Sequence, residues 1–276
     1  MKERGSSGNR RVDSGSFLRI AEEIDPGIVA FAGDAAYDRC SRSKTDETEL
    51  FLGLLRQLAS AERHCIIVEG NNDDSFGTYG RVRDAAGASP YLHEVSSKAH
   101  TVGSIRFLGV PTGKERKMAE STLEAVDIVV AHAPYANRPW LFDLPASCII
   151  TGHYGMLVGK IAGKVYISLD CSPFSYAVID WEQGWRRIEY VSVSAAGTCR
   201  IEVHRETGTT GTGCDPAFFR QLTEGQEELP YREEIEALRR AKSEIATSGR
   251  NETIGRLLAT GIKKTHIERY LGRHAR

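Results

Sequence analysis

Residues 67–75, IVEGNNDDS, close an apolar run with Gly70, Asn71, Asn72 and Asp73. Gly-Asn-Asn-Asp is ordinary turn chemistry, and taken alone it decides nothing. Three other apolar runs end in a comparable way. IVAFAGDAAYD (28–38) stops at Gly33 and Asp34, DIVVAHAP (127–134) at His132, and CIITGHYG (148–155) at Gly152 and His153. Four strand-like runs that each deliver a metal-capable side chain at their C-terminal end form a constellation.

Helical patterns lie between the strands. SFLRIAEEI places Phe17, Ile20, Ala21 and Ile24 on one helical face, with Ser16 as the expected N-cap and DPG as the stop. Glu47 to Ser60 carries Leu50, Phe51, Leu54, Leu55 and Leu58 at helical spacing, and a further helix is expected around Lys114 to Ala125. Helix alternating with near-continuous apolar strand predicts an α/β fold with parallel strands buried on both faces. SFGTYGRVRDAAGAS (75–89) reads as loop. From residue 163 the runs GKVYISLD, SYAVIDWE, GWRRIEYVSV and TCRIEVHRE predict a meander in a second sheet.

In an open α/β sheet the C-terminal strand ends line the ligand crevice, so Asp34, Asn71, His132 and His153 are expected to converge there. One carboxylate, one amide oxygen and two imidazoles suit Mn, Fe or Zn better than Mg or Ca, which prefer oxygen alone. Singly, Asp34 and Asn71 also read as turn residues, and each histidine as a satisfied polar residue. It is the set that points to a divalent ion.

GDAAYD, GNND, HAP and GHYG, in this order, resemble the motifs of the calcineurin-like metallophosphoesterase superfamily: D-x-H, GD-x-x-D, GNH-D/E, a lone His and GH-x-H. The resemblance covers about residues 16–195 and includes the YAVID strand. It implies a β-sandwich flanked by helices, and hydrolysis of phosphodiesters or phosphomonoesters by a metal-bound hydroxide. Carried over, Asp34, Asn71, His132 and His153 are the ligands of one metal site. The ligands exclusive to the other site are missing: only Asp13 precedes the first helix, with no His two residues on, and Gly155 stands where the last His belongs. The resemblance therefore implies a divergent member with one ion. Asn72 replaces the histidine that such enzymes use near the leaving group, and is assigned as a catalytic hydrogen-bond donor to phosphate. Asp73 matches the motif acid and is expected to bond within its own loop; Asp38 and Asp74 are read as supporting or loop carboxylates. Two functions stay open: a phosphate-ester hydrolase, and a catalytically inactive relative that binds or regulates.

The 276-residue chain, 41% hydrophobic, can bury one substantial core with a small appendage. A formal net charge of -1 gives no global attraction to nucleic acid or acidic lipid. No run approaches the roughly 18 apolar residues of a membrane helix, and MKERGSSGNRRVDSGS lacks the apolar centre of a signal peptide, so a cytoplasmic protein with no membrane partner is expected. Six scattered cysteines predict reduced thiols rather than disulfides, with Cys148 and Cys171 near the crevice. His64, His93, His100, His204, His266 and His274 read as surface residues. The expected organisation is a flexible tail (1–15), the main domain (16–205), a linker (206–229) that begins in ETGTTGTGCDP, and a basic helical extension (230–276). From Tyr231 onward 11 Lys and Arg face 6 Glu. NETIGRLLATGIKKTHIERYLG, with Ile267 and Leu271 inward, reads as a helical hairpin that packs on the sheet or mediates oligomerisation, with nucleic-acid binding as the alternative.

Overall fold

A computed structural model describes residues 14–34, 44–73, 78–122, 124–133, 138–153, 157–161, 163–169, 174–194, 197–212 and 250–259, with single positions at 237, 240, 241, 262 and 267. Over the described residues it is a mixed α/β structure with three sheets. β1 (Ile28–Ala32), β2 (His64–Val68) and β3 (Leu92–Glu94) form a parallel three-stranded sheet. β4 (Ala99–Val102), β5 (Ile105–Val110), β6 (Val126–His132), β7 (Ala146–Gly152), β8 (Leu157–Ile161) and β9 (Lys164–Ser168) form a second, in the order β4-β5-β6-β7-β9-β8. Within it β5, β6, β7 and β9 run parallel, and β4 and β8 are antiparallel edges. The third is an antiparallel meander of β10 (Phe174–Trp181), β11 (Trp185–Ser194), β12 (Gly197–His204) and β13 (Gly208–Thr212).

Strand alternation explains how the first two sheets layer. Ile66 and Val68 of β2 belong to one core together with β5, β6 and β7, while Cys65 and Ile67 belong to another beneath helices α1 (Ser14–Ile24), α2 (Lys44–Ser60) and α3 (Thr78–Gly87). In β1 the same division puts Ile28, Ala30 and Ala32 against the first core and Val29 and Phe31 against the second. The three-stranded sheet is therefore apolar on both faces, as parallel sheets require. Leu52, Leu55 and Leu58 of α2 are buried beneath it, each such side chain contributing about 1.5–3 kcal/mol of transfer free energy. Ile188, Tyr190, Ile201 and Val203 of the meander join the first core.

Several expectations change. The parallel strands are divided between two sheets rather than forming one. Residues 78–87, read as loop, are helix α3: Tyr79 and Val82 are three apart and fully buried, with Ala85 and Ala86 behind them, a stripe that Gly, Arg and Asp obscure in the sequence. Ser16 lies inside α1 rather than at its cap, and accepts a bond from Arg19. Helix α4 (Glu115–Ser121) is shorter than expected because Thr122 turns extended. GKVYIS is not part of the meander. Val165, Tyr166 and Ile167 are all buried, the mark of a strand covered on both faces, and β9 pairs with β7. The Gly/Thr stretch read as the start of a linker contains β13, paired with β12. Cys65 and Cys148 are buried free thiols, with burial pushing each up to about 12, but Cys199 is disulfide-bonded, against the expectation of reduced thiols. Helix α5 spans Arg138–Leu141; in the C-terminal extension α6 spans Arg250–Ala259, and Leu257, Ile262 and Ile267 are buried in a small cluster with Ala241. The early tail, Cys171, Leu271 and His274 lie outside the described residues. Among the described residues no helix is long and apolar enough to cross a membrane.

His64, His93 and His100 are not independent surface residues. Each lies two positions from a residue of the main core, namely Ile66, Val95 and Val102. His64 Nδ1 and His93 Nε2 are 2.9 Å apart, and the rings of His93 and His100 stack at 4.3 Å. Burial, followed by the neighbouring His100 and His64, pushes His93 down to about 4; burial and Lys98 lower His100 in the same direction. An unfolded chain protonates histidine near pH 6.5, where folded His93 and His100 still resist the proton. Their stability contribution is thus complete above pH 6.5 and is lost as pH falls toward 4. The urea midpoint of the protein should decline over that interval, and His93→Gln should reduce the decline when both are followed by circular dichroism. Parallel pH profiles would exclude the column as its source.

Candidate metal centre

The strand ends meet because two glycines leave room. A Cβ on Gly70 would lie 2.1 Å from Asp34 Oδ1 and 2.2 Å from the Asp34 amide nitrogen; one on Gly152 would lie 2.1 Å from the Ala32 carbonyl oxygen. Both approaches are too close for any other residue. The same packing holds two ligand candidates in the left-handed region, Asp34 at φ 52° and His153 at φ 98°. For a histidine that conformation is uncommon and is retained only where the surroundings over-determine it.

All four residues singled out as ligands converge. His132 ends β6, and its Nδ1 is 2.8 Å from the Ala32 carbonyl oxygen. A carbonyl only accepts, so Nδ1 carries the hydrogen and, in the neutral ring, Nε2 carries the lone pair. Around Nε2 lie His153 Nδ1 at 2.8 Å, Asn71 Oδ1 at 3.1 Å and Asp34 Oδ2 at 3.3 Å. Ligand atoms of Asp34, His132 and His153 all fall within 4.8 Å of one another. One proton, on His132 Nε2 or His153 Nδ1, can sit among these four electron-pair donors; the remaining lone pairs repel. A divalent cation resolves that repulsion, and the mixed oxygen and imidazole set fits Mn, Fe or Zn. His132 is buried, His153 is half-buried and Asn71 is exposed, so the focus opens to solvent on the Asn71 side.

The protonation states follow from the same contacts. Burial by itself would raise the Asp34 carboxyl, but the hydrogen bond and charge of His132, with two bonds from Asn72, more than offset it and hold it below the ordinary carboxylate value. Burial likewise opposes protonation of His132, yet the bond to Asp34 and its charge push the imidazole above its ordinary value. Without a cation, the contact therefore favours carboxylate beside imidazolium more than either group alone would.

Asn72 makes contacts that its expected role does not include. Its backbone N–H donates to Asp34 Oδ1 at 2.9 Å and its side-chain amide to Oδ2 at 2.7 Å. It orients the carboxylate, and donation to a phosphate would use the amide's second hydrogen. Asp73 does bond within its own loop, where its Oδ2 accepts from the Gly70 N–H at 2.8 Å. It also accepts from the Asp34 N–H at 2.9 Å, a contact between residues 39 apart that the sequence does not announce. Nor was Thr112 anticipated, whose hydroxyl donates to the His132 carbonyl at 2.7 Å. Cys148 is wholly buried, as a structural thiol should be. Asp13, Asp38, Asp74 and Gly155 lie outside the described residues.

No family model matches the sequence, and no curated protein matches it. Among solved structures it is similar to Vacuolar Protein Sorting 29 from Cryptosporidium parvum, at 10% identity and a TM-score of 0.32, over 67% of this chain and 94% of that one. It is also similar to a single mutant of Vps29 from Entamoeba histolytica, at 12% identity and a TM-score of 0.28, over 67% and 96% of the respective chains. Likeness at this level bears on neither site nor activity.

Binding of a cation at His132 Nε2 must displace the proton that Asp34 draws onto the ring. Affinity for a divalent ion should therefore fall as pH drops through the raised value of His132, by about tenfold per pH unit for one displaced proton. Calorimetry in buffers of different ionisation enthalpy should register that proton's release. Binding heat that is independent of the buffer would place the cation elsewhere.

Proposed function

We propose that this chain is a divergent member of the metallophosphoesterase type that holds one divalent ion and hydrolyses phosphate esters. The observation that carries the reading is the convergence of Asp34 Oδ2, Asn71 Oδ1 and His153 Nδ1 on His132 Nε2. These are the residues at which the four motifs match, brought together from four strand ends in two sheets. The chemistry such an ion supplies is polarisation of a phosphoryl oxygen and acidification of water.

The chain's own residues prepare that chemistry. Asp34 is kept anionic, and both its oxygens are oriented by Asn72. Ala32 fixes the His132 tautomer through Nδ1, so that Nε2 faces the other donors. The solvent-facing side at Asn71 is where a phosphate ester would approach.

One observation favours a second reading, a non-catalytic relative that binds a ligand through the same centre. An amide cannot donate a proton to a leaving group, and the Asn72 amide is already engaged by Asp34. Metal content and hydrolysis of bis(p-nitrophenyl) phosphate, measured on the same samples, separate the two. The hydrolase reading expects about one ion per chain and turnover above the metal-only rate, both lost in His153→Ala. One tightly held ion without turnover supports the binding protein. Unchanged metal content in His153→Ala would sink the ligand assignment itself.

A further inference from the structure

We infer that Asp73 is a positioning residue for the metal centre, setting cation affinity by holding the two ligand loops at a common level. This rests on the metal-site reading above and adds to it a residue that contributes no ligand atom to the focus.

The β1–β2 ladder pairs Ile28 with His64 and ends at Ala32 with Val68. Asp34 and Gly70 each lie two residues beyond that last pair, so they stand where a further rung would fall. Instead, both of their N–H groups point at one atom, Asp73 Oδ2, at 2.9 and 2.8 Å. The carboxylate replaces the missing rung. It is 2% exposed, which makes these charge-assisted bonds strong and their loss costly. In return, Asn72 donates its N–H and amide to the Asp34 carboxylate. The segment 70–73 thus grips Asp34 from both ends, by its backbone through Asp73 and by its side chain through Asn72. The backbone grip keeps Asp34 at φ 52°, and Asn71, the next ligand, sits between Gly70 and Asp73. Releasing it frees Asp34 and Asn71 to move relative to His132, which Ala32 and Thr112 hold independently.

Cobalt(II), whose visible bands report coordination, is the probe. In Asp73→Ala, affinity should fall by about 10- to 100-fold, the effect of losing a support behind a ligand, with altered bands. Asp73→Asn, whose Oδ1 can still accept both N–H groups, should recover most of the affinity and the wild-type spectrum. Leu55→Ala, a fully buried substitution beneath the other face of the three-stranded sheet, controls for stability: it should lower the unfolding temperature and leave cobalt affinity unchanged. Wild-type affinity in Asp73→Ala overturns the proposal. So does an Asp73→Asn protein as weak as Asp73→Ala, or an equal loss in Leu55→Ala. A wild-type protein that binds no cobalt overturns the metal-site reading and this proposal with it.

Discussion

The bond from His132 Nδ1 to the Ala32 carbonyl is the contact on which the centre depends. It joins residues 100 apart, at the ends of strands in different sheets, and it does three things at once. It connects the three-stranded sheet to the six-stranded one at their C-terminal edge. It selects the tautomer, leaving Nε2 as the ring's only electron-pair donor. It also aims that donor at Asp34, Asn71 and His153. Gly152 protects the arrangement, since any side chain there would occupy the place of the same carbonyl. A single backbone oxygen therefore serves both the packing of two sheets and the chemistry at their rim.

Much of this was legible in the sequence because its signals are local. β1, β2, β6 and β7 are continuous apolar runs, and a parallel strand buried on both faces leaves little else to confuse with it. The ligand candidates stand one or two residues past those runs, so that placing the strands places the ligands. What stayed hidden depends on contacts between distant segments. Helix α3 is defined by Tyr79 and Val82 meeting a core built by other elements, against a local preference weakened by Gly80 and Gly87. The histidine column exists only once β2 and β3 are in register and β4, from the other sheet, lies beside them. Asp73 reads as one more turn carboxylate until the Asp34 N–H arrives from 39 residues away.

Asn72 shows the same limit from the other side. The motif resemblance assigns it by position, to the place of a group that faces substrate. The structure also gives one of its amide hydrogens to Asp34, because Asp34 lies partly buried and needs donors to remain ionised. A residue's type and order in a motif fix where its backbone goes. Its hydrogen-bond partner is decided by which unsatisfied group is nearest.

The ladders also determine where the chain can change length. His132 and Gly152 are themselves paired residues at the ends of β6 and β7, and Asp34 and Gly70 stand two steps past the last pair of β1 and β2. Every donor is thus counted from a hydrogen-bonded register. One residue added between a strand and its donor shifts the donor by about 3.3 Å, whereas metal ligands tolerate about 0.2 Å. Residues gained or lost elsewhere, as in the helical crossovers that return the chain to the start of each strand, leave that count intact. The short segments that carry the candidate ligands are rulers as well as loops.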